Sequence, residues 1–320
     1  MGTYILKRLF LAVPTIFVAS LIIFMLIHLA PGGPVRVMLG PMQDPVLVEK
    51  LRHQLGLDLP LHQQYILWAG KALRGDFGIS VTIQRGSSVM GLIKQRLSVT
   101  MELAFLSLIV ALLISIPTGI ISALRQDRLP DHIARIIALI GISIPNFFLG
   151  IILILIFGVY LLQPWGAGGF VPLSKSIGGN LIRMLLPAIT LGTAYAAIVM
   201  RMLRSAMLDV MGQDYVRTAR AMGIGQTSIV RRDVVKNAMI PVITVMGNAI
   251  GYLLGGSIVT ETVFRLPGVG NLIITGVFRR DYPVIQGIVL TIVVIRILVN
   301  LVIDLLYSYL DPRIRYGGAE

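Results

Sequence analysis

The sequence predicts an all-α polytopic membrane protein with six transmembrane helices, and three observations support that expectation. The 320-residue chain is 56% hydrophobic and only 13% charged, which is more apolar surface than a soluble core can bury. Its apolar residues fall into six runs, each long enough to cross a bilayer. Its basic residues gather in the segments between those runs, as they do in membrane proteins. Helices follow because long apolar runs in lipid must satisfy their own backbone hydrogen bonds.

The six predicted spans come in chain order. They are Leu9 to Ala30, Val99 to Leu124, Ile133 to Leu162, Met184 to Leu208, Met239 to Val263 and Val284 to Leu310. Lys7 and Arg8 precede the first run as in a signal peptide, but the run is about twice as long as a signal peptide's apolar region, so a retained helix is expected. Pro117 and Pro145 lie inside the second and third spans, where a missing backbone donor favours a kink.

Loop charge orients the predicted helices. The N-terminus, the loop from Arg125 to Arg135, the large basic segment from Arg201 to Lys236 and the C-terminus carry fourteen Lys or Arg, against five in the two short loops of the other side. Because basic loops stay in the cytoplasm, both termini are expected there. The chain then divides into an N-terminal transmembrane helix (1–30), an extracytoplasmic insertion (31–98), a five-helix core (99–310) that includes a cytoplasmic loop (212–240), and a cytoplasmic tail (311–320).

Composition and motifs argue against several other classes. The net charge of +13 lies in loops without interleaved aromatic residues, so we expect anionic lipid and acidic protein surfaces as partners, and no nucleic acid. The chain has no cysteine and no HExxH pair, GISIP (141–145) lacks the second Gly of GxSG, and GVGN (268–271) has Asn where GxGD needs Asp. We therefore expect no catalytic residue, no metal site and no cofactor on this chain. It also lacks the GxxxxGK[ST] phosphate loop, so any ATPase is a partner.

The most informative segment is the polar loop from Asp214 to Pro241. Seven Lys or Arg lie between Arg201 and Lys236, and they mark the cytoplasmic side. Apolar residues at helical spacing predict one short helix, Gly223-Ile224-Gly225 permits a bend, and Ile229, Val230 and Val234 begin a second short helix. An ordered loop of this kind is expected to be a binding site for another protein. The alternative is a solvated basic loop that only sets topology.

This loop resembles the EAA coupling loop of ABC importer permeases. The positions of the motif's Glu-Ala-Ala and Gly hold Arg217, Thr218, Ala219 and Gly223, and RTARA is the form found in the peptide and nickel branch, although Met222 stands where that branch usually has Lys. Further matches come in family order along the chain. They are HLAPGGPV (28–35), the insertion LGLDLPLHQQYILWAGKALRGDFGIS (55–80), SIPNFFLG (143–150), LPAITLG (186–192), GGSIVTETVFRLPGVG (255–270), RRDYPVIQG (279–287) and NLVIDLLYSYLDPRIR (300–315). Gly33 in the first of these stands where an Asp is commoner.

On these motifs the chain is identified as a member of the B-type permease subunits of bacterial dipeptide, oligopeptide and nickel importers. The resemblance implies a type I permease fold with an extracytoplasmic insertion between spans one and two, in the bacterial inner membrane. It implies a homologous second permease, two cytoplasmic ATPase subunits that bind ATP and Mg, and an extracytoplasmic substrate-binding protein. Short peptides are the expected solutes, with nickel chelates or glutathione as alternatives. A secondary transporter is the alternative of another class, but it gives no reason for the coupling loop.

The resemblance also implies which residues contact the ATPase. They are Asp214, Tyr215, Arg217, Thr218, Ala219, Arg220 and Gly223. On the other side, the pattern after Pro60 predicts an amphipathic helix in the insertion. Tyr65 and Trp68 on its aromatic face are expected either to dock the binding protein or to pack against the protein's own bundle.

Two stripes with a repeat of four residues lie within the spans. They are Gly247, Gly251 and Gly255 in the fifth span, and Arg296, Asn300 and Asp304 in the sixth. The glycines form a flat face on which another helix can approach closely, so packing is favoured over a hinge. Polar side chains are costly in lipid, so the second stripe is expected to face protein or water, as structural glue or as a substrate contact.

Overall fold

The computed structural model describes residues 2–29, 49, 53, 56–161 and 169–310, and in these ranges the chain is almost entirely helical. Its helices, in chain order, are α1 (Gly2–His28), α2 (Leu61–Leu73), α3 (Val89–Leu124), α4 (Leu129–Ser143), α5 (Asn146–Leu153), α6 (Ile177–Met211), α7 (Asp214–Ala221), α8 (Gln226–Ile229), α9 (Val235–Val263), α10 (Val269–Arg279) and α11 (Tyr282–Leu310). Two π-helical segments, Ile154–Tyr160 and Val230–Val234, extend α5 and join α8 to α9. The predicted all-α class is confirmed.

The predicted spans coincide with helices. In the described part, four helices are long and apolar enough to cross a membrane, and a bent pair supplies a fifth candidate. The four are α3, α6, the continuous helix from α8 into α9, and α11. The first predicted span falls on α1, in which Phe10–Met25 is a shorter apolar stretch.

The third predicted span is not one straight helix. It consists of α4 and α5, which are bent by 102° at the break between Ser143 and Asn146. Ile144 and Pro145 occupy this break in extended conformations (ψ of 122° and 136°), because a residue before proline avoids the helical region. The expected kink at Pro145 is therefore a complete break. Pro117, by contrast, lies inside α3 without interrupting it.

The chain forms two compact units, and the first contains residues 1–99 and 268–301. Its core joins the start of α3 to α10 and the start of α11. The fully buried residues of this core include Val89, Ile93, Val269, Leu272, Val284 and Ile288. At Gly287 an added Cβ would lie 2.7 Å from Val89 Cγ1. The backbone of α11 at Gly287 therefore packs directly against the Val89 side chain of α3.

The second unit contains residues 100–267 and 302–320, and α6 is its centre. The buried face of α6 includes Leu191, Ala197 and Leu203, and α4, α5 and α9 all pack against this helix. At Gly192 an added Cβ would lie 2.6 Å from the Ser107 carbonyl oxygen. Because only a residue without a side chain fits there, α3 and α6 approach closely at this point.

Candidate functional site

The predicted coupling helix is present as α7, and a few contacts fix it to the second unit. Val216 is fully buried and is the buried residue of this helix. Asn237 Nδ2 donates a hydrogen bond to the Tyr215 hydroxyl over 3.0 Å, which ties α7 to the start of α9. Asp214 lies in the first turn and Arg220 in the last, the arrangement that the helix dipole favours. The helix therefore has a defined position before any partner binds.

The rest of this segment faces outward. Every residue from Arg220 to Ser228 is exposed, including Met222 at 73% and Ile224 at 44%. Arg217 Nη1 lies 3.6 Å from Asp214 Oδ1, but the two side chains are 72% and 95% exposed, so solvent weakens this pair. Thr218 is also exposed, and Ala219 is half-buried. An exposed basic surface with apolar side chains at its tip is suited to binding a protein partner.

Gly223 ends α7 with a turn that requires glycine. Its φ is +75°, a conformation that side chains disfavour. The Ile224 amide donates to the Ala219 carbonyl and the Gly223 amide to the Arg220 carbonyl, which is the Schellman arrangement of a helix end. An added Cβ would meet nothing within 4 Å. Glycine is thus needed for the backbone and not for space.

The second half of the loop differs from the expectation. Ile229, Val230 and Val234 do not start a separate short helix, because α8 runs through the π-helical segment directly into α9. Ile229 and Val234 are both fully buried. The turn at Gly223 is therefore followed, after two residues, by a helix that continues into the fifth predicted span. A displacement of the loop would be passed directly to that span.

An ion pair that the sequence did not reveal, with a fully buried carboxylate and a half-buried guanidinium, holds α4 on α6. Arg204 donates from Nε to Asp131 Oδ1 over 2.8 Å and from Nη2 to Asp131 Oδ2 over 2.6 Å. Ser122 Oγ and the Asp127 amide also donate to this carboxylate, which is fully buried. In the sequence, Arg204 counted only as one of several basic residues near a loop. The pairing joins positions 73 residues apart, so no local pattern could predict it.

A second buried carboxylate lies in the first unit, at the corner between α10 and α11. Asp281 Oδ2 accepts hydrogen bonds from Ser80 Oγ at 2.6 Å and from the amides of Val81, Thr82 and Ile83 at 2.9 to 3.1 Å. The Thr82 hydroxyl adds a contact of 3.3 Å. Burial raises the pKa of Asp281, but the hydrogen bonds from Ser80 and the three amides together lower the pKa by more than burial raises it. The pKa therefore lies below the ordinary carboxyl value. Ser80 and Asp281 fall in two of the family-matching segments (55–80 and 279–287), but no sequence pattern indicated that they meet.

Tyr65 and Trp68, on the confirmed helix α2, pack against α1. The Tyr65 hydroxyl is 2.8 Å from Ser20 Oγ, and its ring meets Phe24 edge-on with centroids 5.5 Å apart. The Trp68 and Phe24 rings are 5.8 Å apart. Both side chains are half-buried. Packing against the protein's own helices, one of the two alternatives that the sequence left open, is therefore present.

The two predicted stripes are only partly described. An added Cβ at Gly247 would lie 2.6 Å from Ile303 Cγ2, whereas at Gly255 it would meet nothing within 4 Å, and Gly251 between them is half-buried. Arg296 and Asn300 are exposed on α11, and the side chain of Asp304 lies outside the described set. Among the described residues, no group of three His, Cys, Asp or Glu could hold a metal ion.

Comparisons with known proteins agree with this architecture. Residues 1–104 match the N-terminal family model of binding-protein-dependent transport system membrane components, and residues 115–316 match the model of the inner membrane component itself. The chain is 42% identical to the glutathione transport system permease protein GsiC of Escherichia coli strain K12 over 99% of its own length and 100% of that protein. GsiC of Shigella flexneri gives the same values.

Solved structures show the same fold. The inward-facing MetNI methionine ABC transporter is similar with a TM-score of 0.56 and 19% identity, over 69% of this chain and 97% of that one. An amino acid ABC transporter crystallised with histidines gives 0.53 and 13%, over 68% and 94%. The expected type I permease fold is thus confirmed. The chain belongs to the family of binding-protein-dependent transport system inner membrane components, as a multi-pass, non-catalytic permease subunit of an ABC importer whose ATPase is a separate subunit.

Proposed function

We propose that this chain and a homologous second permease form the path by which short peptides cross the bacterial inner membrane. The observation that carries the proposal is the exposed helix α7 with its glycine turn, a partner-binding surface in a chain 42% identical over its length to a glutathione permease. Glutathione is itself a tripeptide, so dipeptides, oligopeptides and glutathione form one chemical class of candidate solutes. An extracytoplasmic binding protein would deliver them.

Two cytoplasmic ATPase subunits would hold ATP and Mg and receive α7 in a groove. The support is that the charged side chains of Asp214, Arg217 and Arg220 are exposed. The helix is held in place by the buried side chain of Val216 and by the hydrogen bond from Asn237 to the Tyr215 hydroxyl. A helix held on one face and open on the other can transmit a displacement. Thr218, Ala219 and Gly223 then set the outer surface and its end.

Both termini would lie in the cytoplasm, with residues 31–98 outside and 212–240 inside. The chain has no native cysteine, so single cysteines at Gln63 and Gly225, both exposed, can be labelled without background. In intact cells, an impermeant thiol reagent should reach Gln63→Cys and not Gly225→Cys. The reverse pattern, or labelling of both, would contradict this orientation.

We propose three further roles for the remaining site residues. Tyr65 and Trp68 would set the position of α2 on α1 and so contribute to docking of the binding protein. Gly247 would seat Ile303 of the same chain, with Gly251 and Gly255 extending that face towards another helix. The stripe of Arg296, Asn300 and Asp304 would face the second permease, because isolated polar groups are costly in lipid.

Transport by the reconstituted importer tests the main proposal. Proteoliposomes that contain both permeases, the ATPase and the binding protein should accumulate labelled dipeptide or glutathione when ATP is present. Vanadate should abolish uptake and an uncoupler should not affect it. Uptake that follows a proton gradient without ATP would instead indicate a secondary transporter. Uptake of a nickel chelate, but of neither the dipeptide nor glutathione, would favour the nickel alternative.

A further inference from the structure

The corner between α10 and α11 presents an unusual exposed surface. Phe278 is 84% exposed and Val277 is 57% exposed. Arg279 and Arg280 follow directly and are also exposed, as is Arg85 in the loop that wraps this corner. None of the three guanidinium groups forms an ion pair within the described ranges. We call Arg85, Phe278, Arg279 and Arg280 the corner patch.

The backbone beneath the corner patch is held unusually firmly. Asp281 gathers the loop Ser80–Ile83 around one carboxylate oxygen through five donors, and the Thr82 hydroxyl donates to the Arg279 carbonyl over 3.0 Å. These bonds join the loop that carries Arg85 to the turn that carries Arg279 and Arg280. Successive amides that converge on an anion form a rigid concave nest. The two halves of the patch therefore move as one.

Arg280 itself has a strained conformation. Its φ is +54°, in the left-handed region that residues with a side chain rarely adopt. Such strain persists only where surrounding contacts enforce it, and it gathers at functional positions. Here Arg280 caps α10, and the Arg280 and Asp281 amides donate to the carbonyls of Val277 and Gly276, while the nest around Asp281 fixes the position of this turn. The orientation of this basic turn is thus maintained in spite of an unfavourable backbone conformation at Arg280.

A fixed geometry favours a protein partner over lipid. Lipid headgroups are fluid and adapt to any arrangement of basic side chains, so they give no reason for a strained, pinned turn. Arginine next to an exposed aromatic ring is the composition enriched in the cores of protein interfaces. The sign of the patch requires an acidic partner surface. In the orientation proposed above, the corner lies on the extracytoplasmic side, between the fifth and sixth spans.

We propose that the corner patch is a docking surface for an acidic face of the extracytoplasmic binding protein. Phe278 enters an apolar recess between acidic residues of that face, and Arg85, Arg279 and Arg280 pair with those residues. Asp281 is a positioning residue that contacts no partner. This inference rests on the proposed function, because it names where one of the importer's partners binds.

Photo-crosslinking from the patch identifies the occupant. Phe278→Cys in the assembled importer is labelled with a benzophenone maleimide and irradiated in the presence of the binding protein. We expect an adduct with the binding protein that excess unlabelled binding protein suppresses. Met222→Cys, 73% exposed in the cytoplasmic loop, is the matched control and should give no such adduct. An adduct with the second permease, or with lipid alone, would overturn the proposal.

Charge reversal measures the contribution of the arginines. The double variant Arg279→Glu/Arg280→Glu should raise the binding-protein concentration needed for half-maximal ATPase stimulation by about tenfold or more. Lys175→Glu, an exposed reversal in a different loop, should change it less than twofold. The basal ATPase rate and the yield of assembled complex report on folding in both variants.

The outcomes separate this inference from the proposed function. If the parental importer shows no stimulation by any peptide-loaded binding protein, the proposed function fails. If the parental importer is stimulated and the double variant responds equally well, only the docking surface fails. Equal weakening by the double variant and by Lys175→Glu would also overturn it, because the effect would then be one of overall charge.

Discussion

The corner at Asp281 and the loop around α7 are both short basic segments, yet they treat their charges in opposite ways. Asp281 is fully buried, and one of its oxygens accepts five hydrogen bonds from the same chain. Asp214 is 95% exposed, and within the described residues its ionic contact is a 3.6 Å approach by Arg217. One oxygen of the buried corner carboxylate is therefore bonded within the chain, although its other oxygen has no hydrogen bond among the described residues, whereas the loop carboxylate is left exposed to solvent.

The turns of the two segments show the same contrast. The corner holds Arg280 at a φ of +54°, and the loop uses Gly223 at +75°. A left-handed residue with a side chain costs about 1–2 kcal/mol, which the Asp281 nest must offset, while glycine avoids that cost. A segment that moves with a partner cannot rely on contacts that it must break. The difference favours a rigid corner, and it is consistent with the proposal that the loop moves with a partner.

The largest effect is expected where a buried charge is removed. Asp131→Ala leaves the half-buried Arg204 without its partner, and breaking a fully buried pair costs about 3–5 kcal/mol, which is an upper bound here because Arg204 is 18% exposed. The purified variant should therefore show a much lower Tm or fail to accumulate. Asp214→Ala, which breaks an exposed pair, should leave Tm unchanged. Equal changes in the two variants would show that burial does not separate these carboxylates.

Removal of the corner carboxylate should have the next largest effect. Asp281→Ala leaves several donors without an acceptor, and a lost hydrogen bond to a charged group costs about 1.5–3 kcal/mol. Amide hydrogen exchange at residues 81–83 should rise strongly. Asp281→Asn keeps an acceptor oxygen and should show a smaller rise. Unchanged exchange in the alanine variant would contradict the anchoring role.

The same carboxylate predicts a dependence on pH. Its pKa is lowered by folding, so its contribution to stability is present above the unfolded value of about 3.9 and is lost as pH falls through the folded value. Acidification below about pH 4 should therefore destabilise the parental protein more than Asp281→Asn. Parallel Tm profiles from pH 7 to pH 3 would argue against this contribution.

A turn substitution should affect coupling more than stability. Gly223→Val places a β-branched residue at positive φ, at a cost of at least about 1–2 kcal/mol. Gly225→Val is the matched control, because Gly225 has φ of −60° and equally open space around its Cβ position. We expect transport per assembled complex to fall sharply in the first variant and little in the second. Equal transport by both variants would indicate that the loop only sets the membrane topology and has no role in coupling.

The smallest effect on the protein alone should come from the exposed arginines. Arg217→Glu with Arg220→Glu should leave Tm nearly unchanged, since both side chains are exposed. Association with the ATPase should weaken severalfold at low salt and converge with the parental value at high salt, because salt screens exposed charges. A deficit that is independent of salt would indicate that the arginines act through shape instead of charge.

Sequence patterns predicted those features that depend on local order. The helix after Pro60 begins at Leu61, a helix covers Asp214–Ala221 where the coupling helix was expected, and the spans fall on helices. Hydropathy and helical spacing are local properties, so they can be read along the chain. Gly223 was also predictable, because glycine is the residue that a left-handed helix end favours.

The rest depends on contacts between distant positions. Asp281 and Ser80 are 201 residues apart, and neither carries a local signal for the other. Helix α10, with 11 residues, is too short for a span and was not predicted, although its apolar residues Val269, Leu272 and Ile273 follow helical spacing. The break at Ile144 was expected only as a kink, because Pro145 does not disclose how α5 packs against α6.

That break bears on how the chain is made as well as on how it works. Helix α4 has 15 residues and is about 22 Å long, shorter than the hydrocarbon core of about 30 Å. The Ala138 face of α4 packs on Ala197 and Met200 of α6, which emerges later from the ribosome. We therefore expect membrane insertion of α4 and α5 to wait for α6. Nascent chains stalled when α4 and α5, but not α6, have left the ribosome should remain open to protease in this region. Chains stalled well beyond residue 211, when α6 has also left the ribosome, should be protected. Protection at both lengths would show that α4 and α5 insert unaided.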